Sequence, residues 1–201
     1  MRGVFLAACL MVVFGCGQNQ AVATENEAEV VAVKTDAPTW VVDYNKSRLG
    51  FSATQNGNRF DGEFEKFKAR ILLDPDKPET GAIDVRVDMT SAEAGDRQRN
   101  AALPGGDWFK AKEFPFARFV SSEIVSDSEG RFAAKGDLTI RDVTKEIILP
   151  FALKIEGDNA IAVGEVTLVR SEFGVGRGEF SEGKWVSLDV LVRVEIAATK
   201  K

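Results

Sequence analysis

Three stretches of this chain alternate apolar and polar residues with a period of two. Leu188, Val190, Val192, Val194 and Ile196 share one parity, and Asp189, Arg193 and Glu195 share the other, with Leu191 the exception. Ile83, Val85, Val87 and Met89 repeat this against Asp84, Arg86 and Asp88, and Ile147, Leu149, Phe151, Leu153 and Ile155 against Glu146, Lys154 and Glu156. Successive side chains of a strand point to opposite faces, so each segment buries one face and wets the other. Weaker runs of the same kind cover 40–44, 49–54, 59–73, 117–126, 132–140 and 160–169. In the 59–73 run the apolar parity switches between Phe64 and Phe67, the signature of a one-residue bulge. Pro150 falls on the outer parity of its strand, where the missing N–H predicts an edge or a bulge. Turn signals separate the runs: Asn56-Gly57, Asp74-Pro75-Asp76, Ser128-Glu129-Gly130, Gly157-Asp158-Asn159 and Glu182-Gly183.

One segment breaks the pattern. Residues 91–103 are polar and helix-friendly, Pro104-Gly105-Gly106 ends them, and 107–112 predict a second short helix with Asp107 as N-cap. Residues 39–201 therefore predict one all-β domain, an antiparallel barrel or sandwich of about eight strands with a short helical insertion at about 91–112.

The N-terminus carries a different message. Met1-Arg2-Gly3 is followed by an apolar run from Val4 to Phe14, too short to span a bilayer and patterned as a secretory signal. Val13-Phe14-Gly15-Cys16 resembles a bacterial lipobox, which predicts removal of residues 1–15 and acylation of Cys16. Residues 16–38 then comprise the lipidated Cys and a polar segment without aromatics, expected to be a disordered tether about 25 Å in root-mean-square span. The expected location is the periplasmic side of a bacterial membrane, the outer one from Gly17 after the Cys.

Composition removes much chemistry. The chain has no His and two Cys, so no imidazole base, His-dependent triad or Cys/His zinc site is available. A net charge of −5 argues against a nucleic-acid partner. Asp74-Pro75-Asp76 and Asp158-Asn159 match no complete calcium loop, and no metal site is expected.

Four motifs in order resemble the YceI-like family. They are Phe60-Asp61-Gly62-Glu63-Phe64, the run from Asp107-Trp108-Phe109 through Phe114-Pro115-Phe116 to Phe119, Gly136-Asp137-Leu138-Thr139-Ile140-Arg141-Asp142-Val143-Thr144, and Arg170-Ser171-Glu172-Phe173-Gly174. The resemblance covers about residues 40–197. It implies a lipocalin-like β-barrel that holds a long isoprenoid, such as a polyprenyl chain or a quinone, or another amphiphilic lipid. Many members carry an Asp-x-His-Leu step before the aromatic pair. Here Arg97-Gln98-Arg99-Asn100-Ala101-Ala102-Leu103 lacks both the Asp and the His of that step.

Candidate ligand contacts follow. Trp108, Phe109, Phe114 and Phe116 sit on or beside the insertion, where a barrel mouth would be lined. Phe51, Phe60, Phe64, Phe119, Phe151 and Phe173 supply further apolar surface, and Arg170, Arg97 or Arg99 would meet a polar head. The competing reading is that the aromatics fill the core and the arginines are solvated or ion-paired. The expected function is sequestration of the lipid, with no cofactor and no catalysis. Two alternatives stand: a structural lipoprotein with a plugged barrel, and a hydrolase using Asp61, Glu63 and Glu65 or Asp84 and Asp88.

Replacement of Cys16 tests the anchor. Cys16→Ser is expected to leave the domain folded but soluble in the periplasm, measured by fractionation; continued sedimentation with membranes would contradict it.

Overall fold

The alternating segments form strands of a single antiparallel sheet in a computed structural model that describes residues 35–128 and 130–201. The expected signal segment, Cys16 and the tether up to residue 34 lie outside the described residues. The strands are β1 (Thr39–Val42), β2 (Arg48–Gln55), β3 (Asn58–Phe64), β4 (Phe67–Leu72), β5 (Ala82–Asp88), β6 (Ala92–Glu93), β7 (Phe116–Ser128), β8 (Arg131–Ile140), β9 (Val143–Glu156), β10 (Asn159–Val169) and β11 (Asp189–Lys200).

Six of these are halves of three bent strands. β1 and β2 both lie against β11, β3 and β4 continue one another, and so do β5 and β6. The parity switch between Phe64 and Phe67, expected as a one-residue bulge, is instead a break between β3 and β4. Ser91, at the matching break between β5 and β6, repairs the loss: its carbonyl accepts from Glu65 N and its hydroxyl from Lys66 N. Ser47 does the same between β1 and β2, accepting from Ala197 N and donating to the Asp43 carbonyl. Counted this way the sheet is an up-and-down ring of eight strands, closed where β1 pairs with β11. The expected lipocalin-like barrel is the observed fold.

The ring has two poles. The β4–β5, β7–β8 and β9–β10 connections share one pole with the start of β1. The insertion, the β8–β9 turn and the 170–188 connection occupy the other. Residues 35–38, within the segment expected as tether, dock at the first pole. Pro38 O accepts from Leu73 N, Thr35 Oγ1 donates to Thr80 O, and Ala37 is buried. Each pole has its own packed cluster. Trp40, Leu73, Phe119, Ile124 and Ile196 fill the first, and Phe51, Met89, Leu103, Phe109, Phe173 and Val175 the second.

The insertion is less helical than expected. One short helix, α1 (Arg97–Ala102), forms under the Asp96 N-cap, whose carboxylate accepts from Gln98 N and Arg99 N. The second expected helix, over 107–112, is replaced by turns. Asp107 caps nothing there; its carbonyl accepts from Gly176 N and Arg177 N, which ties the insertion to the opposite connection. Pro150 is neither on a free edge nor in a bulge. It pairs with Ala133 of β8, but it sits where the ladder to β10 ends, at Phe151↔Gly164.

Ile124 is 0% exposed beneath the β4–β5 connection, where its Cδ1 approaches Gly81 closely. Ile124→Ala is expected to cost about 2–5 kcal/mol of unfolding free energy by urea titration, because the rigid ring cannot collapse around the hole.

Candidate functional site: an apolar tunnel

The inward parity of all eight strands meets in one cavity of about 270 Å³. It runs from Trp40, Leu73 and Ala198 at the first pole to Leu103, Trp108, Phe109 and Val175 at the second. Its wall along β10 extends from Ala160 to Leu168, about 27 Å at strand rise. Midway, inward residues such as Ile83, Val85, Leu149, Val166 and Val192 are only half-buried despite facing the interior. Leu149, Val166 and Val192 face the cavity outside both packed clusters. A dry apolar cavity of this kind leaves its lining short of dispersion contacts, which a hydrocarbon would supply.

Nine of the expected contact residues line the tunnel: Phe51, Phe60, Phe64, Trp108, Phe109, Phe119, Phe151, Phe173 and Arg170. Phe114 and Phe116 do not, and the expectation for them is corrected. Ala117 and Phe119 take the inward parity of β7, so Phe116 points out, 40% exposed, with the Arg86 guanidinium 3.5 Å from its ring centre. Phe114 packs outside the tunnel between Lys110 and Arg141. Trp40, Phe67 and the aliphatic wall were not singled out beforehand. Their signal was inward parity, which a search for aromatics near the mouth overlooks.

Arg170 neither faces solvent nor pairs with a carboxylate. It is 5% exposed and donates to five carbonyls, those of Val175, Gly176, Phe180, Val186 and Ser187, at 2.6–3.2 Å. Burial pushes its pKa below the usual guanidinium value. Its charge lies 5.3 Å from the Trp108 ring centre. The Arg-x-x-Phe-Gly segment thus has a physical explanation. The Arg staples the 170–188 connection, Phe173 plugs the wall, and Gly174 turns at φ 65°. A side chain at Gly176, φ 79°, would collide with the Arg170 guanidinium.

Arg141 was not foreseen. It lies within the third motif, in the β8–β9 turn, at φ 57°. It is 6% exposed, and its Nη1 donates to Gly106 O, Trp108 O and Gly174 O, joining the insertion to the same connection. Burial and then nearby Arg177 lower its pKa. Arg99 donates to Ala94 O and Gln55 Oε1 over the Phe60 ring, and Arg97 is exposed.

The candidate acids lie elsewhere. Asp61 is held below the usual carboxylate range by Ser52 and then Arg59. Glu63 pairs with Arg48, Asp84 with Arg118, and Asp88 accepts from Thr90. Among the described residues no Asp or Glu lines the tunnel, and no group of three His, Cys, Asp or Glu is placed to hold a metal.

A closed eight-stranded barrel around an apolar lumen defines a class of lipocalin-like proteins. The YceI-like domain model matches residues 40–198, and the chain belongs to that family. A UPF0312 protein of Pseudomonas putida strain W619 is 28% identical over 157 residues, spanning 75% of this chain and 78% of its own length. The crystal structure of Burkholderia cenocepacia BcnA is 32% identical, with a TM-score of 0.76 over 79% of this chain and 99% of that one. A polyisoprenoid binding domain from Saccharophagus degradans, implicated in plant cell wall breakdown, shares the fold at 12% identity, with a TM-score of 0.64 over 82% and 99% of the two chains.

Lys offers three donors where Arg170 spends five bonds in a planar fork. Arg170→Lys is therefore expected to lower stability by about 1–3 kcal/mol, measured by denaturant titration, since buried carbonyls lose partners.

Proposed function

We propose that this protein sequesters one long-chain isoprenoid or related amphiphilic lipid inside the barrel. The observation that carries the reading is the lumen itself: a continuous tunnel with apolar walls that the chain's own side chains leave unfilled. Burial returns about 25 cal/mol for each Å² of hydrocarbon, so several hundred Å² yields several kcal/mol before the cost of association. The description of the Saccharophagus degradans neighbour as polyisoprenoid binding supports the same class of ligand. The reading needs no acid–base group, in keeping with a tunnel free of carboxylates.

The ligand's polar end belongs, in this reading, at the Trp108–Arg170 end. Arg170 brings positive charge to the lining without a carboxylate to balance it, and an electron-rich or anionic head would be drawn there. The tail would extend toward Trp40. Attachment through an acylated Cys16 would hold the barrel at the periplasmic face of a membrane, most simply the outer one, within reach of such lipids.

Mass spectrometry of organic extracts from natively purified full-length protein tests the proposal. A polyprenyl or quinone species near one per chain is expected; protein that carries no lipid and takes none up from vesicles would overturn it. Trp108→Ala is expected to weaken lipid retention about tenfold, as loss of one large buried contact. Trp185→Ala, at a ring exposed outside the tunnel, is expected to leave retention unchanged.

A further inference from the structure

The barrel wall parts between β9 and β10. Their ladder runs from Asn159↔Glu156 to Phe151↔Gly164 and stops. Beyond that point 143–150 pair with β8 and 165–169 with β11, but not with each other. Two residues build this fork. Leu153 N donates to Gly130 O on the β8 side, so strand alternation turns the backbone of Pro150 toward β10. Pro150 has no N–H to give there, and the ladder cannot continue across it. Opposite the neighbouring Phe151 lies Gly164, where a Cβ would sit 2.7 Å from Pro150 O and 3.0 Å from Phe151 Cβ. The strands are pinched at the fork's base and free above it.

The opening leads into the tunnel. Ile147 and Leu149 on one side, and Val166 and Leu168 on the other, line the cavity and are half-buried. Outside, Ile148 is 56% exposed. At the far end the Lys145 Nζ–Glu172 Oε2 ion pair, 3.0 Å long and partly exposed, spans the fork. Another unpaired stretch of wall, between β1 and β4, differs. There the Tyr44 ring packs edge-on against Phe67 and its hydroxyl accepts from Ala69 N, filling the gap.

The two poles are closed more firmly. Arg141 and Arg170 lock the insertion and the 170–188 connection through eight bonds to carbonyls, and Ile124 and Trp40 seal the first pole. Opening the insertion pole would strip buried guanidinium groups of their acceptors, and opening the first would expose Trp40 and Ile124. Widening the fork breaks no ladder bonds and costs one surface ion pair, worth about 1 kcal/mol or less. We propose that the β9–β10 fork is a lateral portal through which the hydrocarbon of the ligand enters the tunnel sideways. This rests on the lipid-binding reading above and adds the route.

The test staples the fork. The pairing, continued past Phe151↔Gly164, places Ile148 opposite Thr167. Ile148→Cys with Thr167→Cys, in full-length chain carrying Cys9→Ser and Cys16→Ser, allows a disulfide to be closed and reopened. The probe is geranylgeraniol presented in phosphatidylcholine vesicles, and the readout is protein-bound lipid against time. The oxidised protein is expected to load about tenfold more slowly than the same protein in dithiothreitol, while protein loaded before oxidation keeps its lipid. Pro150→Val, which restores the missing donor, needs no disulfide and is expected to slow loading in the same direction. Loading of the stapled protein at the reduced rate, or of Pro150→Val at the wild-type rate, would overturn the portal while leaving lipid binding intact. Wild-type protein that takes up no lipid would instead overturn the lipid-binding reading, and the portal with it.

Discussion

Closure of the sheet is the constraint on which the other features depend. Trp40↔Lys200, Val41↔Thr199 and Val42↔Ala198 join the first strand to the last. Without that seam the inward parity of every strand would be one face of an open sheet in water. With it, the same residues face one another across a lumen. Packing then concentrates at the poles, where large side chains meet, and thins in the middle, where Leu149, Val166 and Val192 line the tunnel outside both packed clusters. A closed ring has a circumference set by strand number and tilt, so shorter side chains cannot draw the walls together. The cavity follows from geometry as much as from residue choice.

Polar groups are distributed to suit. The outer parity carries ion pairs such as Arg193–Glu165 and Arg48–Glu63. The two buried guanidinium groups sit at the insertion pole and bond to carbonyls of loops that have no ladder of their own. Irregular backbone buried at a barrel's end must find donors somewhere. A guanidinium with five N–H groups satisfies several carbonyls at once, at the cost of burying a charge without a counterion. That unbalanced charge is what distinguishes one end of the tunnel from the other.

Much of this was legible in residue order. The period-two runs located the strands, and the parity switch at Phe64 and Phe67 located a break that Ser91 mends. Other features were not legible, for a common reason. Asp107 looks like a helix cap, but its carbonyl is claimed by Gly176 and Arg177, nearly seventy residues on. Phe116 looks like mouth lining because it adjoins Trp108 and Phe109 in sequence, yet strand parity turns it outward. Arg141 carries no local signal, since its acceptors come from two distant loops. Local pattern reports on local propensity, whereas these residues answer to partners brought together by closure.

The sequence by itself determined that the chain would form antiparallel strands with one greasy face, that imidazole chemistry is absent, and that the four YceI-like motifs fall in order. Those follow from side-chain period and composition, which need no third dimension. Only the tertiary structure decided that the greasy faces enclose a tunnel, that Arg170 points inward to carbonyls, and that β9 parts from β10 at Pro150. Each of these depends on the distance between strands remote in sequence, a quantity set by ring closure and not by any one segment.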